Sequence, residues 1–343
     1  MFLFTREHGI LIASLWTLWH CNTMTAQPLT IHDIQYTTDP QGASPYANQV
    51  VDCTGGIVVA KFAGYRPRLV IQDPAAPEGW GGIQVKDWIY PFEMFEDAEL
   101  GDWIELSNML VEEFRGTTVL QRQAAYNPGY RIVSSNNPLP PPLIVSVAEI
   151  RAPRYQVHPI YGAGWYVDDH AAEYLESMRI IVRDVTVTDM DLGKAVDNYS
   201  LQHPTGAECW ATDYMNANAT PGPYHPFVTL GQHFCGVGGV LEQYTYLAQG
   251  WDYYQLVTQS TADLAICGDG NGDGSVDFQD VPRLEECLGG PQCDLLVGGC
   301  NPPAWSIPPA SLPVAQCLTM DLDYDGDVDL RDVYGFQTLF GRP

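Results

Sequence analysis

Short apolar runs bounded by Gly, Pro or charged residues dominate the first 260 positions of the chain. Residues 56–62 read GIVVAKF, residues 68–72 read RLVIQ, and residues 104–114 read IELSNMLVEEF. Such short runs, rich in β-branched residues and alternating between apolar and polar positions, are typical of strands, because successive side chains of a strand point to opposite faces. The pattern predicts a mainly β fold with many turns.

The same order of strands and turns recurs 130 residues further along the chain, in a register that needs no gap. The identical pairs in this register are Gln72 and Gln202, Pro74 and Pro204, Glu78 and Glu208, Trp80 and Trp210, Pro91 and Pro221, Leu100 and Leu230, Gly101 and Gly231, and Glu112 and Glu242. A match of this length at one fixed period indicates two copies of one structural unit.

Each copy is predicted to contain five short strands with bends marked by glycine. The last strand is placed at residues 130–133 in copy one and at residues 254–257 in copy two. Five such strands fit a small Greek-key barrel. Glu112 and Glu242 occupy equivalent strand positions, so both are expected to face solvent or a sheet edge rather than to act in catalysis.

Copy one resembles the OB-fold modules found beside secreted bacterial nucleases and in multidomain surface proteins. The similarity rests on GIVVAKFAGYRPRLVIQDP, GWGGIQVKDW and GDWIELSNMLVEEFRGTTVL, which together cover about a hundred residues. Copy two departs from it, because His203 replaces Asp73 and the Gly81-Gly82 pair becomes Ala211-Thr212. The resemblance implies an OB-like barrel in each copy, whereas a ligand surface shared with the family is not expected in copy two.

Two segments near the C-terminal end share one spacing of oxygen-bearing side chains. The first acidic loop, residues 269–280, reads DGNGDGSVDFQD, and the second acidic loop, residues 321–332, reads DLDYDGDVDLRD. Oxygen ligands at positions 1, 3, 5, 9 and 12, Gly at position 6 and a backbone carbonyl at position 7 suit Ca²⁺ better than Mg²⁺. Two calcium ions are predicted. The candidate ligands are Asp269, Asn271, Asp273, Ser275, Asp277, Asp280, Asp321, Asp323, Asp325, Asp327, Asp329 and Asp332.

A single helix is predicted after each acidic loop. The apolar positions that recur at an offset of 52 residues are Val281, Leu284, Cys287 and Leu288, and Val333, Phe336, Leu339 and Phe340. They form one helical face in each copy, and the two faces are expected to pack together. This duplicated loop and helix arrangement resembles a type I dockerin, although the two loops are separated by an insert rich in Cys, Gly and Pro at residues 289–317.

The dockerin resemblance implies a cohesin-like or other cell-surface protein as partner. In cellulosomal dockerins, loop positions 10 and 11 help to choose that partner. Here these positions hold Phe278 and Gln279 in the first acidic loop and Leu330 and Arg331 in the second. No particular partner is carried over from the family.

Four regions are expected along the chain. Residues 1–26 have the charge, apolar run and small polar end of a secretory signal peptide, so a secreted or cell-surface protein is predicted. Residues 27–147 form the first barrel with a proline-rich linker, residues 148–264 the second barrel, and residues 265–343 the calcium module. The proline run is expected to hold the barrels apart as an extended spacer. No segment is long and apolar enough to remain as a membrane span.

Charge and cysteine content narrow the function further. Asp and Glu outnumber Lys and Arg by 42 to 16, giving a formal charge of −26, which disfavours nucleic acid as a partner. Eight of the nine cysteines follow the predicted signal peptide, and an even number in an exported chain predicts disulfides. At least one bridge is expected to close the insert between the two acidic loops, because the insert has little apolar content to order it.

No catalytic motif is found: the sequence has no HExxH, GxSxG or P-loop pattern. Among the aromatic residues of copy one, Trp88 and Phe92 do not recur in copy two, and they are the candidates for stacking on a base or a sugar ring. The sequence therefore predicts a secreted, non-enzymatic calcium-binding protein. The alternatives are an accessory recognition protein for the degradation of extracellular polysaccharide or nucleic acid, and a hydrolase without a recognisable motif.

Overall fold

The computed structural model describes residues 27–63, 67–190, 198–214, 228–288, 315–325 and 327–340. The predicted signal peptide, Gly326, Cys293 and Cys300 lie outside these residues. The strands of these described ranges form one sheet of six strands and one of nine, which confirms the mainly β prediction. Within the described residues, no helix combines the length and the apolarity that a membrane span requires.

The first sheet closes into a five-stranded barrel. Its strands are β1 (Val50–Phe62), β2 (Arg68–Gln72), β3 (Gly82–Asp87), β4 (Trp103–Phe114), β5 (Thr117–Arg122) and β6 (Gly129–Ser134). The barrel order is β1-β2-β3-β5-β4, and β4 returns to pair with β1. β3 and β5 run parallel, whereas the other neighbours in the barrel are antiparallel. β6 extends the barrel beside β4.

The second sheet repeats this barrel. Its strands are β7 (Leu143–Ile144), β8 (Arg154–His158), β9 (Gly162–Tyr166), β10 (Arg179–Asp189), β11 (Tyr199–Gln202), β12 (Glu208–Thr212), β13 (His233–Tyr246), β14 (Trp251–Val257) and β15 (Leu264–Ala265). The order β10-β11-β12-β14-β13 closes through β10 and β13, and β12 and β14 run parallel. The predicted duplication of an OB-like barrel is therefore seen in the strand order. The hairpin of β8 and β9 is an addition beside β14.

The predicted equivalence of residues 130–133 and residues 254–257 is wrong. The latter lie in β14, the fifth barrel strand, whose counterpart in the first barrel is β5 because both run parallel to the third strand. Residues 130–133 lie instead in β6, on the far side of β4. Alternation of apolar residues shows which face of a strand is buried, but it does not show which neighbour the strand pairs with.

A short helix with a capping box precedes the first strand of each barrel. The helices and their capping pairs are α1 (Ile31–Gln35) with Thr30 and Asp33, and α3 (Val147–Ile150) with Ser146 and Glu149. In each pair the hydroxyl and the carboxylate satisfy backbone N–H groups that the first helical turn leaves open. Buried apolar side chains anchor each helix in its barrel core: Ile31 and Ile34 in α1, and Val147 and Ile150 in α3. A third helix, α2 (Glu93–Asp97), lies between β3 and β4.

The two barrels are in direct contact, so the prediction that the proline run holds them apart is wrong. One apolar cluster combines Val59 and Phe62 of the first barrel with Val240 and Val257 of the second. The linker prolines stand at positions 138, 140, 141 and 142, and the residues that follow them form β7, which pairs in parallel with β10. The proline segment is therefore short and leads directly into a strand of the second barrel, so it does not separate the two barrels.

In the part of the C-terminal region that the structure describes there are three short helices, and two disulfides involve its cysteines. The helices are α4 (Val281–Cys287), α5 (Ala315–Leu318) and α6 (Leu330–Leu339). Leu284 of α4 and Phe336 of α6 meet in one apolar cluster, as the recurring helix faces predict. A disulfide between Cys287 and Cys317 closes the insert, which confirms that prediction, and a second joins Cys235 of β13 to Cys267.

Candidate functional site

The first acidic loop is closed by its last residue, Asp280, which is completely buried. Oδ1 of Asp280 accepts hydrogen bonds from the backbone N–H groups of Gly270, at 2.9 Å, and Asn271, at 3.1 Å. Oδ2 accepts a third from the backbone N–H of Asp277, at 2.7 Å. The backbone N–H groups of loop positions 2, 3 and 9 are thus hydrogen-bonded to the side chain at position 12. These bonds bring the two ends of the loop together.

The second acidic loop repeats this arrangement around Asp332, which is also completely buried. Its Oδ1 accepts from the backbone N–H groups of Leu322, at 2.6 Å, and Asp323, at 3.3 Å. Its Oδ2 accepts from the backbone N–H of Asp329, at 2.7 Å. The same loop positions are bonded in both segments, so the repeat seen in the sequence extends to the backbone geometry.

The carboxylates of the second acidic loop converge in two groups of three. Within each group the oxygens lie within 4.8 Å of one another, and the groups are Asp321, Asp323 and Asp325, and Asp327, Asp329 and Asp332. Calcium–oxygen distances are about 2.3 to 2.6 Å, so ligands on opposite sides of one ion lie about 5 Å apart. The distances within a group therefore allow its oxygens to coordinate the same calcium ion.

Burial and charge repulsion both act on Asp327, at position 7 of this loop. Burial and the neighbouring carboxylates of Asp325 and Asp329 raise the pKa of Asp327 to about 6. Its buried Oδ1 has no hydrogen-bond partner among the described residues. An unpaired carboxylate oxygen among like charges is disfavoured unless a cation approaches it. The residues of the second acidic loop thus fit a divalent cation.

The first acidic loop carries less negative charge, because Asn271 and Ser275 stand where the second loop has aspartates. Asp269, at position 1, is buried, and its Oδ2 accepts a hydrogen bond from the backbone N–H of Gly274 at 2.8 Å. Gly274 has a φ of 88°, in the left-handed region that favours glycine, which explains Gly at position 6. All twelve predicted ligands lie within the described residues, six in each loop.

Trp88 and Phe92, the predicted stacking residues, lie near the end of β3 and at the start of α2. Trp88 is partly exposed and makes an edge contact with Phe114, with ring centroids 6.1 Å apart. Phe92 packs against the core of the first barrel, while its neighbour Tyr90 is 84% exposed. Phe92 therefore contributes to the barrel core, and its place as a ligand residue remains a prediction.

A row of aromatic side chains on the second sheet was not predicted. Tyr155 of β8 lies opposite Trp165 of β9, and Trp165 lies opposite Trp251 of β14. Trp251 in turn lies opposite Tyr246 of β13. Tyr155 is 64% exposed and the other three are partly exposed. Opposite residues share a face, so the four rings form an aromatic row of about 15 Å, given a strand spacing of about 4.8 Å.

Glu242 is expected from the sequence to face solvent or a sheet edge, but it is buried, with only 3% of the residue exposed. Its carboxylate lies 3.3 Å from Nη1 of Arg68 in the first barrel. The hydroxyl of Tyr214 donates to Oε2 of Glu242 at 2.8 Å, and Nε2 of Gln255 donates to the same oxygen at 2.7 Å. These partners make Glu242 part of the contact between the barrels.

Three glutamates, Glu113, Glu173 and Glu176, gather where the two barrels meet. Oε1 of Glu176 accepts from the backbone N–H of Thr118 at 2.9 Å and from Nε2 of Gln35 at 3.3 Å. Burial raises the pKa of all three carboxyl groups, and that of Glu173 rises to about 8. Glu173 is thus expected to be largely protonated at neutral pH, which reduces the repulsion between buried like charges.

No protein-family model matches the chain, and no curated protein matches it. A tetrameric HIN2 structure shares 16% identity over 25% of this chain and 43% of its own, with a TM-score of 0.21, so the chain spans less than half of it. Schizosaccharomyces pombe Pot1pC bound to single-stranded DNA shares 13% identity over 27% of this chain and 84% of its own, with a TM-score of 0.22. A murine DNA-binding protein bound with double-stranded DNA shares 11% identity over 60% and 94%, with a TM-score of 0.28. Similarities at these TM-scores carry no argument about function.

Proposed function

We propose that this chain is a secreted, non-enzymatic calcium-binding protein. Its C-terminal region, residues 265–343, acts as a dockerin-like module that attaches it to a cohesin-like or other cell-surface protein, and the two barrels serve as binding or spacer units. The observation that carries the proposal is the convergence of the aspartate oxygens in the second acidic loop. The two disulfides support export, because disulfides persist in oxidising compartments.

Calcium is the favoured ion because the candidate side-chain ligands in both loops are all oxygens. Calcium takes six to eight oxygen ligands in flexible geometry, whereas Mg²⁺ demands a tighter octahedron and keeps several waters. The backbone of each loop makes the same set of hydrogen bonds to the aspartate at position 12. Both loops are therefore expected to bind calcium, and two ions are proposed. When bound, the ions would neutralise the carboxylates that oppose closure of each loop.

Large exposed apolar side chains beside the acidic loops support a protein partner. Phe278 is 78% exposed and Leu330 is 82% exposed, and both stand at position 10 of their loops. Tyr334, one helical turn after Leu330, is 71% exposed. Apolar side chains in such a position favour a protein interface. The formal charge of −26 continues to disfavour nucleic acid.

Isothermal titration calorimetry of the full chain with Ca²⁺ tests the proposed ion binding. Uptake of two ions per chain is expected, with much weaker heats for Mg²⁺. Binding to immobilised type I cohesin modules, with and without a chelator, then tests the attachment. A folded chain that takes up no Ca²⁺ contradicts the proposal. Calcium uptake without cohesin binding would restrict the partner to another class of surface protein.

The aromatic row favours a second candidate function, recognition of an extracellular polysaccharide by the second barrel. Flat aromatic rings can stack on sugar rings, and the row ends at the exposed Tyr155. Native gel electrophoresis in xylan, β-glucan or pectin tests it. Tyr155→Ala is expected to abolish any retardation, whereas Tyr36→Ala, which removes a tyrosine 50% exposed on the first barrel, is expected to leave it unchanged. Equal mobility of the unaltered chain in all three gels would argue against this candidate.

A further inference from the structure

The first residue of the second acidic loop is bound by an arginine from the second barrel. Nη2 of Arg183, on β10, lies 2.6 Å from Oδ2 of Asp321. Asp321 is completely buried, and the Arg183 side chain is 13% exposed. In the first acidic loop the corresponding Asp269 is bonded by backbone N–H groups of its own loop. Position 1 therefore has different partners in the two loops.

Further contacts hold the second acidic loop against the same barrel. The hydroxyl of Tyr324 lies 2.9 Å from Nε2 of His233 and 3.5 Å from Sγ of Cys267. The guanidinium of Arg183 lies over the Tyr324 ring, 5.3 Å from its centroid. The disulfide from Cys235 to Cys267 joins the barrel covalently to the segment before the first loop. The second loop is thus bound at a defined place on the barrel, next to a fixed positive charge.

We propose that Arg183 is a built-in counter-charge of the second acidic loop and competes with Ca²⁺ for Asp321. This inference rests on the proposed calcium binding. The carboxylate that receives the guanidinium is also the position 1 ligand, and a divalent cation beside it is repelled by the arginine. Calcium binding at the second acidic loop therefore weakens the ion pair between Arg183 and Asp321. Because the two equilibria are linked, this ion pair in turn lowers the affinity of the loop for calcium.

Calorimetric titration of the full chain with Ca²⁺ tests the inference. In Arg183→Gln, the dissociation constant of one of the two sites is expected to fall roughly tenfold, because one charge repulsion is removed, while the other site is unchanged. Arg154→Gln removes the same charge from a side chain 78% exposed on β8, and both sites are expected to stay within about twofold of the unaltered chain. Arg183→Lys keeps the charge and is expected to keep the original affinity.

The outcomes separate the inference from the function on which it rests. If the unaltered chain binds two ions and Arg183→Gln leaves both affinities unchanged or weaker, the competition is refuted while calcium binding stands. Tighter binding in Arg183→Lys as well would also refute it, because the charge would then not be the cause. If the unaltered chain binds no Ca²⁺, the proposed function fails and the inference fails with it.

Discussion

The guanidinium of Arg68 in the first barrel lies 3.3 Å from the carboxylate of Glu242 in the second. The two side chains are 14% and 4% exposed, so this ion pair is largely removed from solvent. It lies among the polar partners of Glu242 and joins barrels that also share an apolar cluster. The barrels are therefore expected to unfold as one cooperative unit.

The Arg68 and Glu242 pair yields the first prediction. Arg68→Met should lower the free energy of unfolding by about 3 kcal/mol, because a buried carboxylate loses its charged partner. Adding Glu242→Gln should restore part of that loss, because the buried charge is then gone. Urea unfolding measures both. Arg131→Met, which breaks an ion pair with side chains 67% and 40% exposed, should cost less than about 1 kcal/mol. Equal effects at the two arginines would contradict a buried role for the pair.

Glu173 predicts a pH dependence of stability. Its carboxylate accepts a hydrogen bond from Tyr254 at 2.7 Å, and burial raises its pKa from 4.5 to about 8. The folded state therefore holds the proton more tightly than the unfolded state. The contribution of Glu173 is fully present below about pH 4.5 and is lost as the pH rises through 8.

Glu173→Gln removes this titration but keeps an oxygen that can accept from Tyr254. At pH 8.5 the variant should be more stable than the unaltered chain by up to about 5 kcal/mol, which corresponds to a pKa raised from 4.5 to about 8, and near pH 4.5 the difference should nearly vanish. Urea unfolding at several pH values measures it. Glu99→Gln, at a side chain 74% exposed, is the control and should show no such trend. A constant difference at all pH values would mean that Glu173 is not protonated in the fold.

The disulfide between Cys287 and Cys317 closes a segment of the chain with a sequence separation of 30. Replacing both cysteines by serine should lower the stability of the C-terminal region by about 3 kcal/mol, because the unfolded chain is then less restricted. Scanning calorimetry should show an earlier transition for this region and little change for the barrels. A shift of the barrel transition of the same size would mean that the region does not melt separately.

Asp325→Ala should reduce calcium uptake by the second acidic loop. Binding to the folded form alone adds about 2.7 kcal/mol at a hundredfold excess over the dissociation constant, and the variant should lose most of this. Helices α4 and α6 share one apolar cluster, so loss of the ion in one loop should loosen both. Calorimetry with calcium and with chelator measures the shift. Glu96→Ala, an exposed carboxylate on α2, should retain the full calcium shift.

The features that depend only on neighbouring residues can be predicted from the sequence. Alternation placed β1 and β4, and the period of 130 residues indicated two barrels, which share one strand order. The spacing of the aspartates is enough to predict both acidic loops. The ligand positions of such a loop depend on the turns of the loop itself and not on distant parts of the chain. The apolar helix faces that recur in the two copies likewise predict the packing of Leu284 and Phe336 in one apolar cluster.

Tertiary structure alone decided which surfaces meet. Glu242 and Arg68 are 174 residues apart, and Arg183 and Asp321 are 138 apart. No local pattern shows that a strand glutamate will be covered by a second barrel or that a loop aspartate will meet an arginine. Periodicity determines which face of an element is apolar, whereas the partner of that face depends on the packing of the whole chain. The sequence thus indicated the barrels and the acidic loops, while packing decided how the second loop is bound to its barrel.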